Sequence, residues 1–109
     1  MIRGDIWTMA GGPDYAGKPR PVVVLQSDRF DALASVTICP FTTNPLDVPL
    51  LRFVVAPNEG NGLREASRIM VDKITTISRS KLGTRIGRLG DEDVLRLNRA
   101  VLVFLGLAD

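Results

Sequence analysis

Arg20-Pro21-Val22-Val23-Val24-Leu25-Gln26 is the stretch on which the fold turns. Pro21 cannot donate to a sheet ladder but can begin a strand, and the β-branched run behind it favours strand over helix. A strand that is apolar on both faces must be covered on both, so Val22 to Gln26 is expected in the middle of a sheet. Toward the N-terminus, Ile6-Trp7-Thr8-Met9 reads as a first short strand. Between the two, residues 11–19 carry three glycines and two prolines, too many for a continuous strand or helix.

Toward the C-terminus, Ser35 to Phe41 is a further strand, with Val36 and Ile38 on one side and Thr37, Cys39 and Phe41 on the other. A polar turn, Thr42-Thr43-Asn44-Pro45, follows it. Leu51 to Ala56 is the next strand candidate, stopped by Pro57, and Asn61-Gly62 is a strong turn signal. Ser67 to Val71 reads as a fifth strand. Ser78 is placed to cap one helical turn through Lys81-Leu82, and Thr84 to Leu89 is extended again. The last segment is helical. Asp91, Glu92 and Asp93 sit where a helix carries its positive end. Val94, Leu97, Val101, Phe104 and Leu105 recur at three or four residues and form one apolar face, which Leu95 and Leu102 widen; Arg96 and Arg99 lie away from it. The expected architecture is mainly β with a C-terminal α-helix: five or six short strands in a small, curled, barrel-like sheet, all in one domain, 1–109.

Composition narrows the class. A chain of 109 residues holds one domain and buries about 65% of its unfolded surface. No apolar run approaches the ~18 residues of a membrane span, and the N-terminus lacks a signal-peptide pattern. The single cysteine, Cys39, forbids an internal disulfide, which fits a reducing cytoplasm. Net charge is +2, but it is unevenly spread: residues 64–88 carry 7 basic and 2 acidic side chains. Arg68, Lys73, Arg79 and Arg85 belong to this block. On one face they would attract phosphates; as a solvated surface they would pair with acids elsewhere.

Histidine is absent, which rules out triads and paired-imidazole nuclease chemistry. One cysteine cannot supply a structural zinc site, no phosphate-binding glycine loop is present, and Asp5, Asp28, Asp31 and Asp72 form no local cluster in the sequence. No metal and no cofactor is expected. What remains is Arg20, stiffened between two prolines beside Lys18, together with Thr42 and Thr43 at a strand end. A guanidinium grips two phosphate oxygens in a fork and stabilises charge developing in phosphoryl transfer. Arg20 could equally hold a carboxylate or cover an apolar surface, and Thr42 and Thr43 could simply cap a turn. Asp14 is the nearest loop acid, with turn stabilisation as its plain role. Trp7, Tyr15 and Phe30 could stack on bases if exposed. RNA brings its own nucleophile, a 2′-hydroxyl, so cleavage to a 2′,3′-cyclic phosphate and a 5′-hydroxyl needs neither imidazole nor metal.

In order and spacing, several segments together resemble the MazF/PemK family of bacterial toxins: Arg3-Gly4-Asp5-Ile6-Trp7, Gly17 through Asp28, Cys39-Pro40-Phe41-Thr42-Thr43, Ser67 to Val71, Ile74-Thr75-Thr76-Ile77, and Arg85-Ile86-Gly87-Arg88-Leu89 with the terminal helix. The resemblance covers almost the whole chain. It implies an SH3-like curled sheet of the MazF/CcdB toxin type, a homodimer, metal-independent cleavage of single-stranded RNA at short sequence motifs, and inhibition by a cognate antitoxin. It places the catalytic arginine on Arg20, the catalytic threonine on Thr42 and an assisting acid on Asp14. It also places Ser67 near an RNA groove, with Lys18, Thr43, Arg68, Lys73, Arg79 and Arg85 as RNA-binding candidates. The family often has a glutamine where this chain has Lys73, after Asp72. A gyrase-inhibiting toxin is disfavoured because the chain ends Gly106-Leu107-Ala108-Asp109, without the tryptophan-bearing tail of that class. A non-catalytic RNA-binding module would share the same groove.

Overall fold

The computed structural model describes residues 1–10, 18–45 and 51–109. Among them are seven strands and one α-helix: β1 (Asp5–Met9), β2 (Arg20–Val24), β3 (Ser35–Thr42), β4 (Arg52–Val55), β5 (Ser67–Met70), β6 (Thr75–Ser78), β7 (Leu82–Arg88) and α1 (Asp91–Phe104). All pairings are antiparallel, in the order β4-β5-β3-β2-β1-β7, with β6 also on β3. β2 lies between β1 and β3, in the middle of the sheet, as its apolar run requires. Val23 enters one core cluster and Val22 and Val24 another.

The sheet bends along β3. Its first half pairs with β6 and β2, while Phe41 and Thr42 pair with Ile69 and Arg68 on β5. Alternation along β3 feeds both cores, with Val36 and Ile38 on one side and Cys39 and Phe41 on the other. The strand β6 is not among those the sequence pattern predicts. It is four residues long between two 3-10 turns, Val71–Lys73 and Arg79–Lys81, and three of its residues are exposed. Its paired threonines were the available signal: Thr76 and Thr37 hydrogen-bond through their hydroxyls at 2.6 Å. Ser78 precedes the second turn, but its hydroxyl bonds Ser80 rather than capping the backbone.

The curled sheet does not close as a barrel. β4 and β7 end the main strand path, with β6 a further edge on β3, and the loop after β4 spans the gap between β4 and β7. The Arg88 amide donates to the Gly60 carbonyl at 2.8 Å. Asn61, fully buried, organises that loop. Its Oδ1 accepts from the amides of Asn58 (3.1 Å) and Leu63 (3.0 Å), and its Nδ2 donates to the Ala56 carbonyl (2.9 Å). Asn61-Gly62 is therefore more than a hairpin turn. Gly62 adopts φ +70°, and its Cα faces the Ile86 carbonyl so closely that a Cβ would lie 2.1 Å from the oxygen. At Gly87 a Cβ would stand 2.3 Å from the Asn61 carbonyl carbon. Backbone meets backbone here, and only glycine permits it.

The helix packs Leu97 and Ala100 into the first core, with Val94 and Val101 partly buried beside them. The N-terminal segment fastens it, since Arg3 donates to the Asn98 side chain and to the Leu25 carbonyl, both at 2.7 Å. Two expectations change. Leu95, Leu102, Phe104 and Leu105 remain exposed, so the buried face is narrower than the sequence pattern. Arg96 does not point away from the apolar side but folds back over the Phe53 ring, 4.5 Å from its centroid.

At the other end of β4, Arg52 grips Asp72 with two parallel bonds, of 3.1 and 3.0 Å. The guanidinium holds the Asp72 carboxyl below its usual range. A carboxylate whose folded pKa is depressed adds stability above its unfolded pKa and loses it as pH falls through the folded one. Wild-type protein should therefore lose stability from about pH 4 downward in part through this pair. Asp72→Asn should cost about 1–2 kcal/mol at neutral pH and flatten that acid limb, as read by urea denaturation across pH. Gly87→Ala should cost about 2–4 kcal/mol in the same assay, because the methyl forces the 58–62 loop off β7.

Candidate active site

An open groove of about 740 Å³ runs along the end of the sheet where β2 begins. One wall is the entry to β2, Lys18-Pro19-Arg20-Pro21, with Thr8 of β1 beside it. Opposite stands the segment Gly62-Leu63-Arg64-Glu65, leading to Ser67, with Thr43 and Ile86 completing the lining. The chemistry-bearing residues of this groove come from four separate stretches of chain.

Arg20 is the first residue of β2, half-buried, opposite Met9 on β1. The β2–β3 ladder ends at Val22↔Pro40, and two residues beyond, at the same end of both strands, stand Arg20 and Thr42. Residues two apart share a face, so Arg20 and Thr42 share theirs. Arg68 joins them, directly opposite Thr42 on β5, although the groove lining itself takes their chain neighbours Thr43 and Ser67 and not Thr42 or Arg68. The row Arg20, Thr42, Arg68 thus crosses three strands that are far apart in sequence. Thr42 Oγ1 accepts from the Asn44 amide at 3.1 Å, the turn role its position suggested. Its hydroxyl proton can still be donated, since a hydroxyl is both donor and acceptor.

Lys18 and Thr43 are exposed, and both line the groove. Ser67 is buried at its floor and donates to the Glu65 carbonyl at 3.0 Å. Among the described residues, no carboxylate forms an ion pair with Lys18, Arg64 or Arg68; the four ion pairs lie elsewhere. Cations without a carboxylate partner beside a groove are suited to an anionic ligand. Asp14 and Tyr15 lie outside the described residues.

The basic block 64–88 does not form one face. Arg79 is at the far end of β3, where its amide donates to the Ala34 carbonyl. That is seven residues of strand from Thr42, up to roughly 23 Å. There it bonds the Leu33 carbonyl (2.9 Å) and the Asp31 carboxylate (3.2 Å), a structural tie between a loop and β6. Arg85 pairs with the buried Asp5 at 3.2 Å, and Asp5 also accepts from the Ile2 amide. Lys73 is exposed at the end of its 3-10 turn and is not part of the groove lining. The charge pattern missed Arg64 and Glu65 as groove residues. The adjacent Asn61-Gly62 was the signal, but nothing in it says that the loop reaches across to the start of β2.

Other nucleophiles and ligand sets are poorly placed. Cys39 is wholly buried, and burial pushes its thiol up to about 12, so it carries no thiolate at neutral pH. Among the described residues no three His, Cys, Asp or Glu side chains gather as a metal site. No helix there is long and apolar enough to cross a membrane. Trp7 is half-buried against the second core, whereas Phe30 is exposed on the 3-10 turn Asp28–Phe30, away from the groove lining.

Comparison with known proteins agrees with this architecture. Residues 2–105 match the family described as PemK-like, MazF-like toxin of type II toxin-antitoxin system. The chain is 55% identical over 108 residues to the probable endoribonuclease MazF of Mycolicibacterium smegmatis, covering 99% of each protein. In fold it resembles the Mycobacterium tuberculosis toxin MazF-mt6, with a TM-score of 0.79 and 27% identity, over 96% of this chain and 99% of that one. It also resembles a mycobacterial endoribonuclease solved with its cognate antitoxin, with a TM-score of 0.79 and 22% identity, over 100% and 98% of the two chains. The chain therefore belongs to the PemK-like, MazF-like toxin family of type II toxin–antitoxin systems, the family of its endoribonuclease relatives.

Proposed function

We propose that this protein is a sequence-specific endoribonuclease that cuts single-stranded RNA without a metal ion, the toxin half of a toxin–antitoxin pair. The observation that carries the reading is the placement of Arg20. It lines the groove, and at the same strand end stand Thr42 and Arg68, each the chain neighbour of a lining residue, Thr43 and Ser67.

The chemistry follows from what those groups can do. RNA bound in the groove presents a phosphate to Arg20, whose guanidinium takes two non-bridging oxygens. The adjacent 2′-oxygen bonds to phosphorus while the bond to the 5′-oxygen breaks in line. This leaves a 2′,3′-cyclic phosphate on one fragment and a 5′-hydroxyl on the other. The 2′-hydroxyl gives up its proton and the departing 5′-oxygen gains one. Arg20 and Arg68 offset the charge that accumulates on the phosphorane, and the Thr42 hydroxyl donates to it. Asp14 is the proposed proton acceptor, a role that rests on family resemblance. Lys18, Arg64 and the Thr43 hydroxyl hold the flanking backbone. Ser67 fixes the groove floor from within. An antitoxin segment seated in the same groove would block RNA entry.

The homodimer is also a proposal. Leu95 and Leu102 on α1 and Leu105 at its C-cap remain exposed along one stripe, an apolar surface suited to a second copy. Replacing Leu102 and Leu105 with glutamate should shift the protein to monomer in analytical ultracentrifugation, with its far-UV spectrum unchanged. A dimer that persists would reject α1 as the interface.

Purified protein incubated with labelled RNA of varied sequence in excess chelator should yield fragments ending in 2′,3′-cyclic phosphate and 5′-hydroxyl. Intact RNA from folded, antitoxin-free protein would refute the proposal. Arg20→Ala and Thr42→Ala should each lower cleavage roughly 100-fold or more. Cleavage is compared at matched folded concentration, and a loss of folded protein as large as the loss of cleavage would make that residue structural instead. Full activity in either variant removes that residue from the mechanism.

A further inference from the structure

Glu65 is out of character for the wall of a groove that takes a polyanion. Arg64, Glu65 and Ala66 are exposed, but the residues on either side are buried, Leu63 at 8% and Ser67 at 5% exposure. Both ends are also tied. The Leu63 amide donates to the buried Asn61 side chain, and Ser67 Oγ donates to the carbonyl of Glu65 itself. The backbone at Glu65 is therefore held while the exposed residue lines the groove. Among the described residues no cation pairs with it, although Lys18, Arg20 and Arg64 line the same groove.

A carboxylate in that position repels phosphates, so it weakens indiscriminate binding. It can only accept hydrogen bonds, and single-stranded RNA offers donors on the Watson–Crick edges of unstacked bases. Those edges differ. Guanine presents two adjacent donors, N1–H and the N2 amino group, which match the two carboxylate oxygens. Cytosine and adenine set a ring-nitrogen lone pair beside their amino group, and the single N–H of uracil lies between two carbonyl oxygens. Each of these three places at least one lone pair against the carboxylate. Resting on the reading that the groove takes RNA, we infer that Glu65 is a specificity-determining residue that selects guanine at one fixed position of the RNA target. The tethered loop holds the carboxylate in place for this role, so little freedom is lost on binding.

The test maps cleavage ends on a randomised single-stranded RNA for wild type, Glu65→Gln and Glu65→Ala. Wild type should require guanine at one position near the cut. Both variants should still cut, with that preference reduced about tenfold or more and the other positions unchanged. Replacing that guanine by inosine, which lacks the N2 amino group, should slow wild type several-fold and leave Glu65→Gln unaffected. A merely structural role would not separate the two bases in this way. If wild type cuts without a guanine requirement, or if both variants keep it, the inference on Glu65 fails while the nuclease reading stands. If wild type cuts no RNA at all, both fall.

Discussion

The contact between the Asn61 loop and Gly87 is the constraint on which the rest depends. A sheet of short strands with β4 and β7 at its edges would splay if nothing joined them. Here a loop makes the joint by laying its backbone against β7 at a distance that excludes any side chain. Its own polar groups must then be satisfied internally, since an unpaired buried amide costs about as much as the contact gains. Asn61 meets that demand with one buried side chain, bonding residues on both sides of itself.

The groove is a consequence of this joint. Because the loop after β4 is pulled across to β7, Arg64 and Glu65 line the same groove as the entry of β2. Because β3 bends from β2 onto β5, Thr42 comes between Arg20 and Arg68. Both arrangements use rigid elements: a proline-flanked strand start, a strand end shared by two halves of the sheet, and a loop pinned at both ends. Positioning of this kind is what a reaction with an internal nucleophile asks of its protein.

Charge is distributed by the same logic. Arginines that pair with acids, Arg52 with Asp72, Arg79 with Asp31 and Arg85 with Asp5, fasten elements together away from the groove lining. Those near the groove, Arg64 and Arg68, have no such partner among the described residues. A count of basic residues along the chain merges the two groups. Partner geometry separates them.

The sequence by itself determined the strands and the helix, because β-branched runs, proline and glycine breaks and three-four periodicity are local signals. It also marked Arg20 and Thr42, since a proline-locked arginine and a threonine pair at a strand end are visible in one dimension. The four-residue β6 was hidden because most of its side chains face solvent, leaving only paired threonines to betray it. Only the tertiary structure decided that Asn61-Gly62 is a bridge as well as a turn, that Arg79 belongs to the opposite end of β3, that Leu95 and Leu102 stay exposed, and that Glu65 lines the groove. Each of these depends on contacts between residues far apart along the chain. Such contacts are settled by sheet register and by whether two backbones can touch, and no short window of sequence contains either.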